Sequence, residues 1–141
     1  MLKHILVPLD GSPVAEAVLP HVHALLSVFQ ARVTLVHVVD PTSGADGSTR
    51  VAPVSWHIKK SEMRAYLDTI AARMAQQGIL AEAVLLEGRI VESIADFVRA
   101  NAVDLLILSS HGQGGCEELP LGNTAQRLLA RCGAHKLVVH S

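Results

Sequence analysis

The residues best suited to chemistry lie between Leu105 and Thr124, in LLILSSHGQGGCEELPLGNT. An apolar run through Leu108 ends at Ser109, Ser110 and His111. Gly112, Gly114 and Gly115 follow, and Gly122-Asn123 lead into TAQRLLARC, which has helical character. Strand, glycine loop and helix start, in that order, is how a parallel α/β sheet assembles an anion site. Unpaired N–H groups at the helix start, reinforced by the helix dipole, attract the anion. Glycine lets the ligand come close to the main chain. A second candidate is Asp10, which closes the run HILVPL. Its carboxylate either accepts from a ligand hydroxyl or belongs to a turn that caps the next helix together with Ser12.

The other reactive residue types do not assemble into sites. Of the eight histidines, His21 and His23 are two apart on a helix and so point to different faces. His37 and His111 could meet at the crevice, but no third ligand accompanies them, so no metal site is expected. His111 lacks the Ser/His/Asp order or the GxSxG elbow of a hydrolase, and no catalytic residue is expected. Cys116 has Glu117 and Glu118 beside it; their charge raises a thiol pKa and blunts reactivity. Trp56 reads as a packing anchor.

The elements that position the glycine loop follow from periodicity. His4 to Leu9 is a short apolar strand stopped by Asp10-Gly11-Ser12. Ser12-Pro13 opens a helix, with Ala15, Val18, Leu19, Val22, Leu25, Leu26 and Phe29 at helical spacing. Pro20 should kink it without ending it. Ala31 to Val39 is the second strand. Thr42 to Ser55, about 14 residues rich in Gly, Ser, Thr and Pro, is a loop long enough to be functional. Met63, Tyr66, Leu67, Ile70 and Met74 mark the second helix, stopped by Gly78. Ala81 to Leu86 is a strand, Val91, Ile94, Ala95 and Val98 mark a helix, and Leu105 to Ser110 is the fourth strand. Thr124 to Cys132 is the last helix and Lys136 to His140 the last strand. This alternation implies a parallel sheet with helices on both faces. Its ligand belongs outside the carboxyl ends of the strands, where the first and fourth strands lie side by side.

Composition bounds the function. The chain has 141 residues, which suits one domain over 1–141, and half of them are hydrophobic, enough for a core without crosslinks. A net charge of −1 and only 3% aromatic residues argue against nucleic-acid binding. No apolar run reaches the roughly 18 residues of a membrane span. MLKHILVPLD has no adequate apolar stretch or cleavage site for a signal peptide. Cys116 and Cys132 form no disulfide framework, which fits a reducing cytoplasm.

With ILVPLDGSPVAEAVLP, VTLVHVVD, SSHGQGGCEELPLGNTAQRLL and KLVV, the chain resembles the universal stress protein family over nearly its whole length. The family's nucleotide motif is Gly, two residues, Gly, nine residues, then Gly-Ser or Gly-Thr; the corresponding positions are Ser109, Gly112, Gly122 and Asn123. The resemblance implies a Rossmann-like five-stranded parallel sheet of order 3-2-1-4-5, akin to the adenine nucleotide alpha hydrolases. It implies that Pro8, Leu9, Asp10 and Val38 line an adenine and ribose pocket, with Asp10 accepting from a ribose hydroxyl. Leu108 and Ser109 would border the nucleoside. Gly112, Gly122, Asn123 and Thr124 would donate to the phosphates of ATP, with Mg²⁺ as its accompanying ion. Ser109 adds a Cβ where the family has glycine, while Asn123 keeps the ability to cap and donate. Glu117 and Glu118 would repel a triphosphate unless Arg127 or Arg131 faces the loop. The resemblance also implies a homodimer through the edge strand Leu137-Val138-Val139. The expected function is a cytoplasmic, dimeric ATP-binding regulator with slow hydrolysis at most. The alternative is a dimeric stress or interaction protein whose pocket is empty or holds another ligand.

Overall fold

The structure, a computed structural model, describes residues 2–41, 53–110 and 123–139. Its strands are β1 (His4–Pro8), β2 (Arg32–Val39), β3 (Ala81–Glu87), β4 (Leu105–Ser109) and β5 (His135–Val139). They form one five-stranded sheet in the expected order β3-β2-β1-β4-β5, every neighbouring pair parallel. Period-2 alternation sends successive side chains to opposite faces. Ile5 and Val7 therefore join Leu35 and Ile107 on one face, whereas Leu6 joins Val36 and Leu106 on the other. Ile5, Leu6 and Val7 are all 0% exposed, which explains why β1 has no polar face.

Helices α1 (Pro13–Glu16), α2 (Leu19–Leu26) and α3 (Pro53–Gln76) cover the first face. They do so through Ala15, Val22, Leu67, Ile70 and Met74, joined by Val18 between α1 and α2. Helices α4 (Ile90–Ala100) and α5 (Asn123–Arg131) cover the second through Val91, Ile94, Ala95, Val98, Ala125 and Leu128. Burying each of the larger side chains contributes roughly 1.5–3 kcal/mol. Gly78 stops α3 as expected, at φ 85, with Ile79 N–H donating to the Met74 carbonyl at 2.9 Å.

The stretch after Ser12 departs from the expected single kinked helix and is broken into α1 and α2. Pro20 has no N–H, and its ring would collide with the carbonyl four residues earlier, that of Glu16. The first helix ends at Glu16. Pro20 instead sits in the first turn of α2, where an N–H would have no helical partner anyway. Val18 restarts the ladder by accepting from His21 and Val22 at 3.0 and 3.1 Å. Helix α3 also begins earlier than expected, at Pro53, so only 42–52 of the expected loop remains, and that segment lies outside the described residues. Half-buried Trp56 carries Lys60 Nζ 5.5 Å from its ring centre, and that ammonium also reaches Glu87 Oε1 on β3 at 3.2 Å.

A polar knot fixes the amino edge of β1. Asp104 Oδ2 accepts from the Lys3 and His4 N–H groups at 2.8 and 2.9 Å. The buried His4 ring has Nε2 2.7 Å from Thr34 Oγ1 and Nδ1 3.0 Å from the Asn101 carbonyl. The Lys3 and His4 amides hold the Asp104 carboxyl below its ordinary range. A carboxyl depressed on folding stabilises above its unfolded pKa, and that stability is lost as pH falls through the folded value. Asp104→Asn should therefore lower the Tm near neutral pH and shrink the loss of Tm between about pH 5 and about pH 3. Thermal denaturation across that range checks this; wild-type and variant curves that run parallel would contradict it.

Candidate functional site

Strand β1 is paired by β2 on one side and β4 on the other, so the strand order reverses beside it. The chain leaves β1 for α1 on one face, while the chain after β4 returns through α5 on the other. A crevice at the carboxyl ends of β1 and β4 results. β1 and β4 are in register at Ile5 with Leu105 and Leu6 with Leu106, two residues before Pro8 and Leu108. Leu9 and Asp10 extend past β1, Ser109 ends β4, and Val38 stands near the end of β2. Val38 and Leu108 share the core on the α4/α5 face; Leu9 belongs to the core on the opposite face. Because β5 runs parallel to β4, α5 must return from the carboxyl edge. Its opening residues Asn123 and exposed Thr124 therefore stand at the same edge. Gly112 and Gly122, like His111, Cys116, Glu117 and Glu118, lie outside the described residues.

Asp10 carries the turn role. Its Oδ1 accepts from Ser12 N–H at 2.9 Å and from Ser12 Oγ at 2.5 Å. Ser12 Oγ in turn accepts from Ala15 N–H at 3.2 Å, capping α1. Gly11 adopts φ 87, a left-handed conformation that a Cβ would strain, which is why glycine follows Asp10. The carboxylate is thereby aimed by the backbone and by Ser12.

Sequence reasoning placed His37 at the crevice only as a possible partner of His111 and did not find its bond to the main chain. His37 lies on the face of β2 opposite Val38, half-buried, with Nδ1 2.7 Å from the Leu9 carbonyl. A carbonyl only accepts, so Nδ1 carries the proton and donates. Leu9 is held at both ends, since its N–H donates to the Val36 carbonyl at 2.8 Å. Burial pushes the His37 pKa down; the Leu9 bond and the Asp10 charge act to raise it, and Lys59 of α3 acts to lower it. The alternation that puts His37 on the face of Val33 and Leu35 was the available signal. On the other side, Arg127 is directed at Glu92 of α4, its guanidinium 3.6 Å from Oε1.

Among the described residues no three His, Cys, Asp or Glu side chains gather as a metal site needs. No described helix is long and apolar enough to cross a membrane. Buried Cys132 has its thiol pKa raised by burial. Two shallow concavities, of about 400 and 410 Å³, lie at the amino edge of the sheet, around Gln30, Ala31 and Leu80. They lie at the opposite edge of the sheet from the carboxyl ends of β1 and β4, and the topology places no helix start there.

The universal stress protein family matches residues 1–140. The chain belongs to the universal stress protein family. One relative, universal stress protein MJ0531 of Methanocaldococcus jannaschii, is 28% identical over 99% of this chain and 82% of its own length. Universal stress protein MJ0577 of the same organism is 26% identical over 99% of this chain and 95% of its own length. Its solved structure superimposes with a TM-score of 0.86, covering 100% of this chain and 97% of that one at 25% identity. The universal stress protein of Archaeoglobus fulgidus in complex with dAMP superimposes at TM-score 0.68 and 18% identity, covering 98% and 97% of the two chains. At that identity it speaks for the shared fold alone.

Removing the cap should loosen the turn that holds Asp10. Ser12→Ala is expected to cost about 1 kcal/mol. Urea denaturation measures it, and a change of only about a tenth of that would contradict the capping role.

Proposed function

We propose that this universal stress protein is an adenine-nucleotide-binding regulatory module: one domain over 1–141, cytoplasmic and homodimeric, holding ATP with Mg²⁺ during a stress response. The observation that carries the reading is the crevice between β1 and β4, in a chain matched to the family along residues 1–140. In this reading Pro8, Leu9, Asp10 and Val38 line the adenine and ribose, and Asp10 accepts from a ribose hydroxyl. Leu108 and Ser109 border the nucleoside. Gly112, Gly122, Asn123 and Thr124 present donors to the phosphates at the start of α5, without a lysine of the Walker kind. The A. fulgidus protein, which shares the fold, is solved in complex with dAMP, a ligand of the class proposed here. With no nucleophile and base assembled among these residues, the module binds and releases, with slow hydrolysis at most.

A second reading is favoured by two observations. Ser109 places a Cβ at the strand end, and Arg127 is turned to Glu92. Both suit a stress protein that leaves the pocket empty or holds another small ligand. Thermal denaturation with ATP and Mg²⁺ separates the two. ATP at about 100 times its Kd should add about 2.7 kcal/mol of stability. No shift at millimolar ATP would favour the second reading.

The edge strand β5 supports the homodimer. Leu137 is 37% exposed on a strand paired on one side, by β4, among the described residues. Antiparallel pairing of two such edges about a two-fold axis would cover Leu137, Val138 and Val139. Sedimentation at micromolar concentration should give a dimer, and Leu137→Glu should give mostly monomer. A monomeric parent protein would contradict the proposal.

A further inference from the structure

Among the described residues, His37 stands beside the turn that ends in Asp10 and has no part in the nucleotide reading. Its Nδ1–H is committed to the Leu9 carbonyl at 2.7 Å, one residue before Asp10. In the neutral ring this leaves Nε2 as an acceptor; a second proton turns Nε2 into a donor and adds a positive charge. The Leu9 bond survives that change, because Nδ1 donates in both states. What changes is the charge beside the turn that aims Asp10.

Among the described residues, two charged groups act on the ring. Asp10 approaches from the turn after β1, and Lys59 from α3, with opposite effects on the imidazole. Its register partner on β3 is the uncharged Leu85. With one end of the ring fixed by Leu9 and Lys59 repelling an added charge, the Asp10 carboxylate is the group that gains from protonation.

We propose that His37 is a positioning residue of the nucleotide crevice, and that its protonation draws on the Asp10 carboxylate and weakens adenine-nucleotide binding in acid. The inference rests on the nucleotide reading and adds its regulation: a neutral ring leaves Asp10 to the ribose, while an imidazolium competes with the ribose hydroxyl for the same carboxylate. Release of nucleotide would then follow acidification of the surroundings. By reciprocity, nucleotide binding would hold His37 neutral to lower pH.

The test is the Kd for ATP, by calorimetry, between about pH 8 and about pH 5.5, a range that brackets the ordinary histidine pKa. Wild type is compared with His37→Asn, whose amide keeps an N–H for the Leu9 carbonyl but carries no proton-dependent charge. Titration of the ATP phosphates is common to both proteins and cancels in their ratio. Wild-type affinity should fall at least about fivefold more than that of the variant over this range. Identical profiles, or a wild type that binds more tightly in acid, would overturn the inference and leave the nucleotide reading standing. A wild type that binds no ATP at pH 8 would overturn both. Should His37→Asn fail to fold, NMR titration of the His37 ring in Asp10→Asn decides. The ring should lose its proton at lower pH than in wild type, and an unmoved titration would overturn the coupling.

Discussion

The rest of the fold depends on β1 being paired in parallel on both edges and buried on both faces. His4 through Val7 are each at most 4% exposed. A strand in that position has room for apolar side chains and for a polar one only where it finds partners, as His4 does with Thr34 and Asn101. Because β2 lies on one side and β4 on the other, the chain must leave β1 and β4 toward opposite faces. The two departures open a crevice that no side chain has to carve. The apolar layers then fix its floor: Leu9 on one side, Val38 and Leu108 on the other.

The electrostatics of that crevice follow from the main chain more than from charged side chains. The whole chain carries a formal charge of −1. The basic residue that follows the crevice on α5, Arg127, is directed at Glu92. Among the described residues, the start of α5 carries the partial positive charge that an anion would meet. Asp10, half-exposed beside it, suits a neutral hydroxyl and would repel a phosphate, so the crevice has a polarity along its length. Asp10 and Lys59 act in opposite directions on the charge of His37.

Much of this could be read from residue order. Alternating short apolar runs and helical stripes specified the five parallel strands, because strands buried on both faces and amphipathic helices leave different periodicities. The stripes at Leu67, Ile70 and Met74, and at Val91, Ile94, Ala95 and Val98, proved to be the buried faces of α3 and α4. Two features resisted. The apolar period runs unbroken across Pro20, because α1 and α2 bury the same side of the sheet; the clash with the Glu16 carbonyl is a backbone matter that periodicity does not carry. The bond made by His37 was hidden for a different reason. It depends on a carbonyl 28 residues away, which only the pairing of β1 with β2 brings to 2.7 Å. The candidate site was readable as a motif, but half of that motif, Gly112 and Gly122, lies outside the described residues.

The claim on which the functional account rests is that an anion is held at the carboxyl edge between β1 and β4 by main-chain donors at the start of α5. A crystal structure of the protein grown with ATP and Mg²⁺ tests it most directly. The account predicts density for the ribose against Asp10 and for phosphate oxygens within hydrogen-bond distance of the backbone N–H groups at Asn123 and Thr124. An empty crevice in those crystals, or nucleotide bound at the amino edge near Gln30 and Leu80, would contradict it.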